Sequence, residues 1–133
     1  MVFVDTGAFL ARYLANDAHH RRAVATWKKV SGAPLFTSNH VVDETLTLLA
    51  RRASYAFAAE RAERMYGSAA LEILCSNKDD EMDAILLFRK FGDHQVSFTD
   101  CISFVLMKRH RIRTAFTFDR HFRLAGLEVV GLS

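Results

Sequence analysis

Short apolar runs alternating with helical stretches predict an α/β fold, a sandwich around a central parallel sheet. Three observations carry this expectation. The runs Val2–Val4 and Ala115–Phe118 are β-branched or aromatic and almost free of polar residues, as suits strands covered on both faces. Helical stretches separate successive runs, the order expected when parallel strands are joined by helical crossovers. From Ser97 to Met107, apolar residues (Cys101, Ile102, Phe104, Val105, Leu106, Met107) cover nearly the whole helical wheel, so this helix belongs at the centre.

A chain of 133 residues, half of them hydrophobic, is expected to form one domain over residues 1–133 that buries about two-thirds of its unfolded surface. One proline and six scattered glycines leave no linker-like tract, and there is no internal repeat. The first residues lack the basic flank and apolar run of a signal peptide, and no window reaches membrane-spanning length, so the expectation is a soluble, cytoplasmic protein. A net charge of +3 permits a polyanionic partner without requiring one. Cys75 and Cys101 are too far apart for CxxC chemistry or a zinc knuckle and read as two reduced core thiols. The six histidines form no HExxH or similar metal spacing, and His121, beside Asp119, reads as a surface or packed residue.

In chain order, Val2–Val4 is a strand ended by Asp5-Thr6-Gly7, followed by a short helix over 8–14 and a second over 19–30 carrying Trp27. Ser31-Gly32-Ala33-Pro34 is the clearest turn and leads into a strand over 35–37. Ser38 or Asn39 can cap a helix running to about Ala53. Its apolar arc holds Val41, Val42, Thr45, Leu46, Leu48, Leu49 and Ala53, with Asp43 and Glu44 near opposite borders, so either acid can reach a cleft beside that face. Ser54 caps an alanine-rich helix over 55–68, and 71–75 is a third strand interrupted by Glu72. Asp79, Asp80 and Glu81 make an acidic first turn for a helix over 82–91, as the helix dipole favours. Lys108, Arg109, Arg111 and Arg113 surround the end of the central helix, where the same dipole favours cations. A strand over 115–118, a helical turn over 119–124 and a last strand over 127–132 complete the chain.

Taken singly, Asp5, Asp100 and Asp119 are ordinary helix or turn caps, and Glu44 an ordinary solvated helix residue. Together they differ. A parallel sheet gathers the carboxyl ends of its strands at one edge, where Asp5 and Asp119 are placed, with Asp100 opening the central helix and Glu44 entering from the side. Two charges ~5 Å apart repel by about 3 kcal/mol at an effective dielectric of 20. A carboxylate cluster therefore holds protons, admits basic side chains or binds a cation. Hard oxygen ligands select Mg²⁺ or Mn²⁺ over zinc, and these ions suit phosphodiester chemistry.

At these residues the chain resembles the PIN-domain ribonucleases, and within them the VapC-type toxins of type II toxin–antitoxin pairs. The matching motifs are Val2-Phe3-Val4-Asp5-Thr6-Gly7, Asn39-His40-Val41-Val42-Asp43-Glu44-Thr45, Phe98-Thr99-Asp100-Cys101-Ile102-Ser103-Phe104 and Phe116-Thr117-Phe118-Asp119-Arg120-His121-Phe122. The resemblance implies a three-layer α/β/α sandwich with about five parallel strands and a Mg²⁺- or Mn²⁺-dependent endoribonuclease activity, with RNA as substrate, an antitoxin protein as partner and a homodimer as the assembly. Asp5, Glu44, Asp100 and Asp119 match the family's acidic quartet. Asp5, Asp100 and Asp119 are the expected metal ligands, with Glu44 as a ligand or water-orienting base. The family pattern selects Glu44 over Asp43, a choice the helical wheel leaves open. Thr6 matches the hydroxyl residue beside the first acid and Thr99 a hydroxyl before the third, both near substrate or supporting the ligands. Which arginines hold RNA is not specified.

Three rivals stand beside this reading. Asp5-Thr6-Gly7 spells the aspartic-protease triplet, but those enzymes are β-rich and most of this chain reads as helix. A Mg²⁺-dependent phosphoaspartate or haloacid-type phosphatase protein also places an acid after the first strand; the phosphatase needs a second acid two residues on, where this chain has Gly7. A non-catalytic RNA- or protein-binding α/β domain would use the acids only as caps.

Overall fold

The computed structural model describes residues 1–132. Five strands and seven helices alternate through it: β1 (Val2–Val4), α1 (Thr6–Tyr13), α2 (His20–Val30), β2 (Leu35–Ser38), α3 (Asn39–Arg52), α4 (Tyr55–Gly67), β3 (Leu71–Leu74), α5 (Lys78–Lys90), α6 (Phe98–Arg109), β4 (Thr114–Phe116), α7 (His121–Leu124) and β5 (Glu128–Val130). A 3₁₀ turn, Gly92–His94, lies between α5 and α6.

The sheet is wholly parallel, in the order β3-β2-β1-β4-β5. All three residues of β1 are buried although alternate side chains leave opposite faces, so helices cover both sides of the central strand. From β1 the chain builds outward through β2 to β3, then returns to place β4 and β5 on the other side of β1. The strand order thus reverses between β1 and β4, which in open parallel sheets marks the ligand crevice at the carboxyl ends.

The central helix is α6, with Cys101, Ile102, Ser103, Phe104, Leu106 and Met107 all buried. Its Phe104 ring meets Phe91 and Phe122 edge-on at centroid distances of 6.2 and 5.0 Å, locking α6 to the segments before and after it. Helix α3 buries Val41, Val42, Thr45 and Leu49 and touches both α1 and α6. These contacts bring the starts of three helices to one edge of the sheet.

Several boundaries differ from the sequence expectation, each for a local reason. Helix α1 begins at Thr6 rather than Ala8, because the Asp5 carbonyl already accepts from Ala8 and Phe9 N–H. Helix α5 begins at Lys78 rather than Met82: Asn77 and Asp80 form a reciprocal capping box that starts it earlier. Strand β4 stops at Phe116, so Asp119 is carried three residues beyond the strand on a loop instead of closing it. There Phe118 leaves the sheet to stack on His19, ring centroids 4.5 Å apart. Strand β5 is confined to Glu128–Val130, and Gly131, at φ 106°, turns the chain out of the sheet in a conformation that favours glycine. Cys101 is buried as expected, but Cys75 is exposed because it follows β3 at the sheet's edge.

Candidate active site

At the switch point lies a cleft of about 660 Å³ whose walls include Asp5, Thr6, Glu44, Asp100, Asp119 and His121. Each acid arrives on a different element. Asp5 follows β1 and occupies the N-cap position of α1, yet its side chain makes no cap hydrogen bond. Its Oδ2 instead accepts from the buried Thr117 hydroxyl at 2.8 Å. The same Thr117 oxygen accepts from the Asp119 backbone N–H at 3.0 Å. One hydroxyl therefore fixes the first acid and the loop that carries the fourth.

Asp119 Oδ1 accepts from the backbone N–H of His121 at 2.8 Å, a local turn that opens α7. This local turn fixes the loop, and the same carboxylate also hydrogen-bonds the Asp100 side chain. Asp100 is the third residue of α6, where Ser97 caps its backbone N–H at 3.1 Å. Its carboxylate points away from that cap, toward Asp119 and His121. Asp5 and Asp100 are only 5% and 6% exposed, so both carboxyls are nearly withdrawn from water.

Helix burial settles what the wheel left open: Glu44 is half-buried and lines the cleft, whereas Asp43 is exposed. Thr6 is buried in the cleft wall with a hydroxyl that has no hydrogen-bond partner. Thr99 is half-buried and not among the cleft-lining residues; its carbonyl accepts from Ser103 within α6.

Two contributors lay outside the expected set. Thr117 was read only as a strand residue, though a hydroxyl inside an apolar run is itself a signal, since a buried polar group needs a partner. His121, read as surface or packing, lines the cleft with its Nδ1 3.1 Å from Asp119 Oδ1 and 3.8 Å from Asp100 Oδ2. That buried nitrogen makes no directed hydrogen bond. One ligand atom from each of Asp100, Asp119 and His121 lies within 4.8 Å of the others.

The electrostatics follow from this crowding. Burial, opposed in part by the Thr117 hydrogen bond and the Thr6 backbone N–H, raises the Asp5 pKa to about 6, and Asp119 and Glu44 add repulsion. Burial is also the largest cause for Asp100, pushed up to about 9, with Asp5, Asp119 and Glu44 adding to it. Without a cation Asp100 keeps its proton at neutral pH. The converging oxygens, the unpartnered Thr6 hydroxyl and the unpartnered His121 nitrogen fit a divalent cation.

Comparisons with known proteins agree with the geometry. A family model described as the PIN domain matches residues 2–127. The chain is 36% identical over 127 residues, 95% of each protein, to a 23S rRNA-specific endonuclease, VapC20, of Mycobacterium tuberculosis. It is 32% identical over 125 residues to a VapC ribonuclease of Archaeoglobus fulgidus, covering 91% of this chain and 78% of the relative. The crystal structure of the M. tuberculosis VapC20, titled as a sarcin–ricin loop cleaving toxin, superposes with a TM-score of 0.88 at 34% identity, covering 96% of each chain. With the family model spanning nearly its whole length and close relatives on the same fold, this chain belongs to the PIN domain family.

Proposed function

We propose that the cleft is the active site of an endoribonuclease dependent on Mg²⁺, with Mn²⁺ as the alternative, and that the protein is the toxin of a toxin–antitoxin pair. One observation carries this reading: Asp5, Glu44, Asp100 and Asp119 converge where the strand order reverses, and no lysine or arginine is ion-paired with any of them among the described residues. Like charge gathered in a buried place without an ion-paired lysine or arginine is relieved by taking up protons or by binding a cation.

In this reading Asp5, Asp100 and Asp119 hold the ion, and Glu44 is a further ligand or orients the attacking water. When bound, the ion supplies an activated water and offsets charge on the phosphodiester. The chain's own residues prepare that chemistry. The hydroxyl of Thr117 holds Asp5 and the Asp119 loop in fixed relation. Thr6 offers a free hydroxyl to a bound water or phosphate, and His121 sets the orientation of Asp119 or adds a nitrogen ligand. Thr99 supports α6 through its carbonyl rather than from within the cleft.

The relatives make 23S rRNA the first substrate to test. An antitoxin protein, a homodimeric assembly and a cytoplasmic location complete the proposal; no described helix is long and apolar enough to cross a membrane. The test incubates 23S rRNA and defined tRNAs with the protein and its Asp5→Asn form, with and without Mg²⁺ or Mn²⁺. A discrete cut that needs the metal and is lost in the variant is expected. Cleavage retained by the variant without metal refutes the assignment, and salt-sensitive RNA binding with no cleavage in either metal favours a non-catalytic binding domain. Growth arrest on expression, relieved by a small co-expressed protein, tests the toxin role separately.

A further inference from the structure

A second charged site lies away from the carboxylate cleft. Leu35 and Leu71, the first residues of β2 and β3, line a cavity of about 230 Å³ together with side chains of α1, α2 and α4. It therefore sits at the amino ends of the strands, while the acids sit at the carboxyl ends.

Its chemistry is the reverse of the cleft's. The guanidinium of Arg12 lies 3.8 Å from the centroid of the Trp27 ring, and that of Arg61 lies 5.1 and 5.0 Å from the Tyr13 and Phe57 rings. Aromatic faces favour each cation but leave the N–H groups of the guanidinium plane unanswered. Neither arginine has a carboxylate within ion-pair distance among the described residues, although the nearby Arg64 pairs with Glu60. The Arg61 Nε is shut off from solvent with no hydrogen-bond partner. Burial lowers the Arg12 pKa, and the neighbouring Arg61 lowers it further, so two cations repel in a partly desolvated place. Leaving a buried charged donor unsatisfied costs more than a neutral one.

We propose that Arg12 and Arg61 form a binding site for an aspartate or glutamate side chain of a partner protein. Stacked, unpaired guanidinium planes match the bidentate geometry of a carboxylate. The cavity is smaller than the 300–1,000 Å³ typical of small-molecule pockets, so it takes a side chain rather than a nucleotide. Phe9, Met65 and Leu71 give it apolar walls, as a protein anchor requires. Tyr13 and Trp27 line it with the arginines, residue types enriched together in protein interfaces. The carboxylate cleft lies at the opposite, carboxyl ends of the strands, which separates this site from the proposed catalytic residues.

Trp27 is the only tryptophan in the chain, so its fluorescence reports on Arg12 directly. The experiment titrates the protein at constant ionic strength with a pentaglutamate peptide, a pentaglutamine control, inorganic phosphate and hexauridylate. Saturable change with pentaglutamate alone is expected. Arg12→Gln and Arg61→Gln should each weaken it on the order of tenfold, the scale of a lost charge-assisted hydrogen bond. Arg61→Lys, which keeps the charge but not the fork, guards against a folding defect and should also weaken the peptide. Metal-dependent RNA cleavage should persist in all three variants, which separates this proposal from the nuclease assignment. Absence of a saturable response, or equal affinity in Arg61→Gln, overturns the site. A stronger response to phosphate or hexauridylate overturns the carboxylate assignment in favour of nucleic-acid phosphate.

Discussion

Asp80 is the third residue of α5 and Asp100 the third residue of α6, and each backbone N–H is capped from three positions earlier, by Asn77 and by Ser97. Both are buried, at 4% and 6% exposure. There the likeness ends. The Asp80 carboxylate closes its capping box on the Asn77 N–H at 2.9 Å and meets Arg109 at 2.7 Å. The Asp100 carboxylate meets no arginine or lysine and faces other acids. The same capping pattern therefore leads to two ends: one carboxylate is paired within the protein, while the other is left among acids without a lysine or arginine partner. What separates them is a partner distant in the chain, since Arg109 lies 29 residues from Asp80.

The largest expected contrast is in catalysis. Asp100→Asn should lower metal-dependent RNA cleavage by about 10²–10³-fold, the scale for losing one preorganised charge-stabilising group, while Asp80→Asn leaves it nearly intact. Initial rates at saturating Mg²⁺ check both. Next comes Thr117→Val, which frees Asp5 and the Asp119 loop together and should cost about 10–100-fold in activity or metal affinity, as removal of such supporting groups does. Stability should rank the two aspartates in the opposite order. Asp80→Asn should lose about 1–3 kcal/mol in denaturant melts, since it weakens charged hydrogen bonds to Arg109, which is itself 42% exposed. In metal-free protein Asp100→Asn should be neutral or stabilising above neutral pH, because it removes a buried carboxyl that must take up a proton to stay folded there.

The pH dependence sharpens the same contrast. Asp5 and Asp100 have folded pKa values raised from 3.8 to about 6 and about 9, so the folded chain binds more protons than the unfolded one between those limits. Their contribution to stability is therefore fully present below about 3.8 and lost as pH rises through 6 and toward 9. Melting temperatures of the metal-free protein should fall across that window, with a shallower fall in Asp100→Asn. Saturating Mg²⁺ or Mn²⁺ should restore most at the alkaline end, where the carboxylates are free to bind it.

Much of this was legible in the sequence where the signal is local. The apolar run of β1 ending in Asp5 and the all-round apolar wheel of α6 each rest on neighbouring residues, and each is seen in the structure. Long-range matters were not. Asp43 and Glu44 bordered the same apolar arc, so the wheel alone left open the choice that the family resemblance made for Glu44, and the packing of α3 against α1 and α6 puts Glu44 on the cleft. Thr117 finds Asp5 112 residues away, so nothing near either residue announced the pair. Asp119 was expected at a strand end and reaches the site from a loop, a course set by Thr117 and by the stacking of Phe118 on His19. His121 gave no metal spacing because only Asp119 is its neighbour in sequence, while Asp100 comes from the start of α6.

Isothermal titration of Mn²⁺ into the wild-type protein, Asp80→Asn and Asp100→Asn is the most direct test of the difference between these two buried carboxylates. Saturable binding in the wild type and in Asp80→Asn, with loss in Asp100→Asn, is the predicted result. Equal Mn²⁺ affinity in all three proteins would contradict the assignment of Asp100 as a carboxylate held for a cation.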